Sequence, residues 1–218
     1  MHRWNAILPA VLACCLATVA PLRAEDPTSA LLSRIAAVDP GLTSYRADVA
    51  FDVGLKSFPY LRRSLHGAAY FKRPARMELV FNDLPGFAHA FSNVYVGLGT
   101  PTDWEKKFEI SSAEDVIEGQ AVRHLILTPR RVDRRLRAVD VYVDREVALP
   151  SRIVWHYKDG TIDLRQQFGK IDGHDLIVAQ QSEIRLPAVH AFANAKITNY
   201  AINVEVDDRI FGLHGASP

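Results

Sequence analysis

The chain has 218 residues, of which 48% are hydrophobic and 23% charged, and its formal net charge is +1 at pH 7. This balance suits one globular domain with a core of its own and excludes collagen-like, coiled-coil and disordered chains. It also argues against a nucleic-acid partner, because phosphate neutralisation needs a concentrated excess of Lys and Arg.

The chain opens like a secretory leader: basic His2 and Arg3, an apolar run from Ala6 to Ala20, then Pro21-Leu22-Arg23-Ala24 ahead of acidic Glu25 and Asp26. Cleavage is expected after Ala24, leaving residues 25–218 as one exported domain. The run is too short, and too broken by Pro9 and Pro21, for a comfortable membrane span. Cys14 and Cys15, the two cysteines, both fall inside the leader, so the mature chain is expected to lack thiols and disulfides. A lipid anchor on Cys14 is the alternative processing, disfavoured because Leu12 stands where a smaller residue is usual.

Asp26-Pro27 reads as a helix start, with Leu31, Ile35 and Val38 at helical spacing until Pro40-Gly41. From Ser44 the period changes to two, with Tyr45, Ala47, Val49, Phe51, Val53 and Leu55 alternating with polar residues in the pattern of a half-buried strand. Alternation returns in 65–72, 76–81, 139–143, 153–157 and 162–168, and further strands are expected over 176–186 and 197–206. Asp159-Gly160 marks a hairpin. The expected fold is mainly β with a few helices (α+β): an incomplete antiparallel β-barrel of about ten strands, mostly joined as a meander, with helices over its concave face. One segment, 84–99, carries Phe87, Phe91, Val94, Tyr95 and Leu98 at helical spacing and is expected to form a helix across the concave face or over an open end.

Chemistry is sparsely signalled. The eight histidines show no metal-ligand spacing, and there is no nucleophile elbow, Walker loop or dinucleotide fingerprint, so neither a metal nor a cofactor is expected and the chain reads as a non-enzyme. Asp207-Asp208 reads as a strand-end turn with solvated carboxylates. Arg130, Arg131, Arg134, Arg135 and Arg137 crowd one connection, either as a solvated loop or as a surface for anionic head groups or an acidic partner. The surplus of large apolar side chains on strands and on the 84–99 segment fits either an ordinary core or a cavity for a hydrophobic ligand.

The stretch Gly67-Ala68-Ala69-Tyr70-Phe71-Lys72-Arg73-Pro74-Ala75-Arg76-Met77 resembles the early strand signature of the periplasmic lipoprotein-carrier family, LolA and its outer-membrane lipoprotein-sorting relatives. Weaker similarity runs through 125–129, 139–144, 153–155 and the 158–160 hairpin. The resemblance implies a half-barrel whose apolar concave face is closed by a helical lid, and a monomeric carrier of acylated lipoprotein or lipid cargo through the periplasm. It further implies an inner-membrane loading complex and an outer-membrane acceptor. Arg73 matches the arginine implicated in latching the lid, and Met77 falls at a cavity position. The cavity is expected to be lined by Phe51, Phe71, Met77, Phe81 and Trp155 as floor and by Phe87, Phe91 and Leu98 as cover. A rival reading keeps the fold but makes it a sensor or binding module that recognises a partner protein through its basic loop.

Overall fold

The structure, a computed structural model, describes residues 27–37, 39–57, 60–74, 76–81, 101–117, 119–131, 135–187 and 189–211. Ten strands form one antiparallel sheet: β1 (Ser44–Leu55), β2 (Arg62–Lys72), β3 (Arg76–Phe81), β4 (Phe108–Ile117), β5 (Gln120–Pro129), β6 (Leu136–Asp144), β7 (Pro150–Tyr157), β8 (Gly160–Ile171), β9 (His174–Leu186) and β10 (Val189–Ile202). Their order is β3-β2-β1-β10-β9-β8-β7-β6-β5-β4. Every neighbouring pair is a sequence-adjacent hairpin except β1 with β10, and between β3 and β4 the chain passes from one sheet edge to the other. Among the described residues the two edges do not pair, so the sheet is an open half-barrel of the expected α+β class.

Alternation along the strands divides the sheet into two faces. The inner face carries the core: Ala47, Val49, Phe51 and Val53 on β1, Val139, Val141 and Val143 on β6, and Leu125 and Leu127 on β5 are all at most 4% exposed. Register carries one inner row across seven strands, Val53–Ala193–Ser182–Leu164–Ile153–Val141–Leu125, and ends on Ser112 of the edge strand β4.

Two helices pack on this side. α1 (Pro27–Ala37) buries Leu32 and Ile35 in the core, each contributing about 1.5–3 kcal/mol. It stops ahead of Asp39, which takes a left-handed backbone (φ 61°) in the turn before Leu42. α2 (Pro101–Lys107) has Pro at its first position, Asp103 in its first turn and Lys106 and Lys107 in its last, and buries Trp104 to 3%. Sequence reasoning did not mark α2 or the strand β4, although those helix-end signals were present; β4 was obscured by its Glu114-Asp115 pair and its mostly exposed C-terminal half.

Two further differences are local. The last strand was expected over 197–206, but β10 begins at Val189 and ends at Ile202. Its early inner positions are Ala191, Ala193 and Ala195, too small for a strong hydrophobic signal, and Asn203 (φ 55°) ends it. The 84–99 segment, expected as a helix, lies outside the described residues, as do the leader and Cys14. Among the described residues no helix is long and apolar enough to cross a membrane.

The outer face is polar. Glu183 on β9 is held by Lys56 at 2.7 Å, His190 at 3.1 Å and Arg185 at 2.6 Å, and these donors, Lys56 first, lower its carboxyl from 4.5 to about 2. A carboxyl held below its unfolded value stabilises the fold above pH 4.5, and that contribution fades as pH falls from 4.5 toward 2. Glu183 is partly solvated, so Glu183→Gln is expected to cost only about 1 kcal/mol at pH 7. Urea titrations at pH 7 and pH 3 check this: the variant should lose less stability on acidification than the parent, and an equal loss would assign the acid sensitivity elsewhere.

Candidate functional site

The Lys72-Arg73-Pro74 turn between β2 and β3 is where three separate parts of the chain are tied together. Arg73 Nε donates to the Leu42 carbonyl at 2.5 Å, its terminal nitrogen donates to the Asp39 carbonyl, and its backbone N–H donates to the Thr43 carbonyl at 2.9 Å. The guanidinium thus grips the turn joining α1 to β1. On the opposite side of that turn the Asp39 carboxylate meets His174 Nδ1, at the start of β9, at 2.5 Å. Lys72 Nζ donates to the Val206 carbonyl at 3.0 Å and pairs with Asp208 at 2.5 Å, while Arg76 pairs with Asp208 at 3.0 Å and stacks its guanidinium over Phe211. The C-terminal strap is thereby fastened beside the helix exit. Asp207 caps the short 3-10 helix Asp208–Ile210, so the adjacent carboxylates are used structurally, in a turn as expected.

The other end of α1 is held on the far side of the sheet. The Thr28 and Ser112 hydroxyls are 3.0 Å apart, and Ser29 Oγ donates to Glu105 of α2 at 3.3 Å. Ser112 belongs to the inner row, so α1 starts over edge strand β4 and ends beside β1 and β2, crossing the inner face. Polar contacts hold its ends, while Leu32 and Ile35 face the apolar interior.

The expected floor residues fall on that inner face. Phe51 meets Phe81 edge-on with ring centroids 5.4 Å apart, Tyr45 stacks on Phe71 at 5.3 Å, and Met77 is opposite Phe71 in register. Trp155 is across the sheet on β7, 6% exposed and opposite Val139 and Ile162. Burial of the Tyr45 hydroxyl raises its pKa to about 12, so it is neutral at any physiological pH. In this conformation Phe51 is 4% exposed and Trp155 6%, while Phe71, Met77 and Phe81 are half-buried. Phe87, Phe91 and Leu98, the expected cover, lie outside the described residues.

The arginine-rich connection is only partly described. Arg130 Nε donates to the Glu105 carbonyl at 3.1 Å and its backbone N–H to the Lys107 carbonyl at 2.9 Å, closing the end of α2. Arg131 and Arg135 are exposed, and Arg134 lies outside the described residues. Two outer clefts, of about 440 and 430 Å³, are lined by charged and amide groups such as Lys56, Glu183 and Asn194 in one and Arg46, Asp48 and His66 in the other, which suits neither to hydrocarbon. Among the described residues no three potential ligands converge on a metal position. Sequence reasoning found Arg73 but missed its partners, because backbone carbonyls have no sequence signature, and His174 was only one of eight scattered histidines.

An open antiparallel half-barrel with a helix laid across its apolar inner face is the LolA-like fold. No protein-family model and no curated protein matches this chain, but solved structures do. A DUF1329 family protein from Desulfovibrio piger superposes with a TM-score of 0.62 at 14% identity, covering 88% of this chain and 99% of that one. A putative outer membrane lipoprotein-sorting protein domain from Vibrio parahaemolyticus gives 0.61 at 10% identity, covering 83% and 94%. A LolA superfamily protein from Nitrosomonas europaea gives 0.54 at 11% identity, covering 86% and 98%. At such identities the likeness establishes the fold.

Proposed function

We propose that this protein is an exported, monomeric, non-catalytic carrier that shelters acyl chains of a lipoprotein or lipid between the sheet's inner face and α1. In this reading the leader is removed, the protein works in the periplasm, and a membrane loading complex and an outer-membrane acceptor set the direction of transfer. The observation that carries the reading is α1 itself: an amphipathic helix that buries Leu32 and Ile35 in the core and is fastened by polar contacts at its start and at the turn that follows it. In this reading, separating the cover from the sheet opens the apolar inner face that carries Phe51, Phe71, Met77, Phe81 and Trp155, without first breaking any strand pairing.

Energetics are consistent with transport rather than chemistry. An acyl chain in water costs about 0.8 kcal/mol per CH₂, or roughly 12 kcal/mol for sixteen carbons. The floor must offset that sum and also the cost of moving α1 aside. A bilayer offers nearly the same refuge, so handover is close to neutral, and a small bias from a partner suffices to direct it.

The protein purified from the periplasm of an expressing cell is expected to release fatty acyl species on denaturing mass spectrometry, and delipidated protein to take up a fluorescent sixteen-carbon fatty acid. Finding no acyl species and no uptake would favour a closed-core binding module recognising a protein partner.

A further inference from the structure

Three polar residues are buried among the described residues: Ser44, Ser182 and Gln180. Both serines use a nearby backbone carbonyl, Val204 for Ser44 at 2.5 Å and Ala193 for Ser182 at 3.4 Å. Gln180, 5% exposed on the inner side of β9, has no side-chain hydrogen-bond partner among the described residues. Yet every fully enclosed side-chain nitrogen or oxygen among the described residues has a partner. The amide of Gln180 therefore keeps a narrow opening onto accessible space, because a sealed primary amide without partners would carry a desolvation cost of about 1–3 kcal/mol.

Its surroundings define what that opening suits. Directly opposite Gln180 in the β8–β9 register stands Gln166, and register partners across a ladder share a face. On the other flank the same inner row continues through Ala195 to Phe51 and Leu65, which is hydrocarbon throughout. Gln166 and Ser151, at inner positions, also line a cleft of about 390 Å³ whose other lining residues, Arg152, Arg165, Gln167 and Gln181 among them, stand at outer positions. This cleft sits where β7 begins while β8 runs on, so the sheet steps down beside the glutamines.

The geometry points to a ligand subsite: the Gln166–Gln180 pair receives the carbonyl of an acyl linkage, with the hydrocarbon tail on the Phe51 side of the inner face and the polar remainder passing around the start of β7 into the outer cleft. The inference rests on the carrier reading and narrows its cargo to chains joined through an ester or amide carbonyl. A primary amide donates two hydrogens and accepts at its oxygen, so it satisfies such a carbonyl, whereas an ether oxygen in the same place is a poor acceptor. O-acyl glycerophospholipid and N-acylated peptide both present this group.

The test compares 1-palmitoyl-lysophosphatidylglycerol with its 1-O-hexadecyl ether analogue and with an N-palmitoylated Cys-Ser dipeptide, each titrated against delipidated full-length protein below its aggregation concentration. The ester is expected to bind about fivefold more tightly than the ether, and the preference to vanish in Gln180→Leu. Gln166→Leu, at a half-buried position, should reduce it too and covers the case in which Gln180→Leu fails to fold. Tighter binding of the dipeptide than of the ester would support the subsite and assign it to N-acyl cargo, and the reverse order to O-acyl cargo. Equal affinity of the unmodified protein for ester and ether overturns the subsite while leaving the carrier reading intact; no binding of any probe overturns both.

Discussion

Gly67→Val is expected to lower the stability of the fold by more than about 3 kcal/mol and to detach β3 from the sheet. A Cβ on Gly67 would stand 2.3 Å from the Val80 carbonyl oxygen, 2.9 Å from Phe81 Cδ1 and 3.2 Å from Phe81 Cα. The first and last of these are backbone atoms of the paired strand, so no rotamer change relieves them. β3 has only six residues and pairs on one side, with β2, and the cheapest escape is for it to move away. That would take Leu79, 5% exposed, and Phe81 out of the interior and uncover Phe51. Urea denaturation gives the cost, and amide hydrogen exchange locates it: β3 should lose protection while β6 to β9 keep theirs. A variant within about 0.5 kcal/mol of the parent, with β3 still protected, would show that the strands shift to admit the side chain.

That glycine also shows how far the sequence could be read. Period-two alternation made β1, β6 and β7 plain, because branched or aromatic residues recur at their inner positions and charged ones at several of their outer positions. The same rule failed at β4, where only Phe108 of the ten positions is buried, and at the start of β10, where the inner residues are alanines. Alternation reports burial of bulky groups, and an exposed edge strand or a strand lined by small ones gives little to report. The motif around Gly67 and Arg73 was legible as a string, but its physical content is contact between segments far apart in the chain. Arg73 meets residues more than thirty positions upstream, and Asp39 meets His174 at a separation of 135. Helix α1 was legible as a helix from its Pro27 start and its spacing, whereas its place across the inner face depended on Thr28 finding Ser112, a pair of ordinary hydroxyls. Gln180 was invisible for the opposite reason, since a glutamine on a strand looks outward-facing until its register partners are known.

Arg73→Leu is expected to speed release of a bound acyl probe by at least about tenfold while costing the fold only about 2 kcal/mol. The guanidinium serves two carbonyls at once, those of Leu42 and Asp39, from one planar group. Hydrogen bonds from a charged donor contribute about 1.5–3 kcal/mol each when buried, and less here because the turn is partly solvated. The strands on either side keep their own ladder bonds after the change, so the loss falls on the joint between α1 and β1. If that joint governs how readily α1 lifts, a change of about 1.4 kcal/mol confined to it is tenfold in the opening equilibrium. Arg73→Lys separates the possible roles: an ammonium on a flexible stem reaches one carbonyl but does not reproduce the fork, so it should fall between parent and leucine in release rate. Stopped-flow transfer of a fluorescent fatty acid to acceptor vesicles measures the rate, and urea denaturation the stability. A leucine variant that is destabilised but releases its probe at the parental rate would make Arg73 a structural tie alone, and the cover would then have to move about some other point.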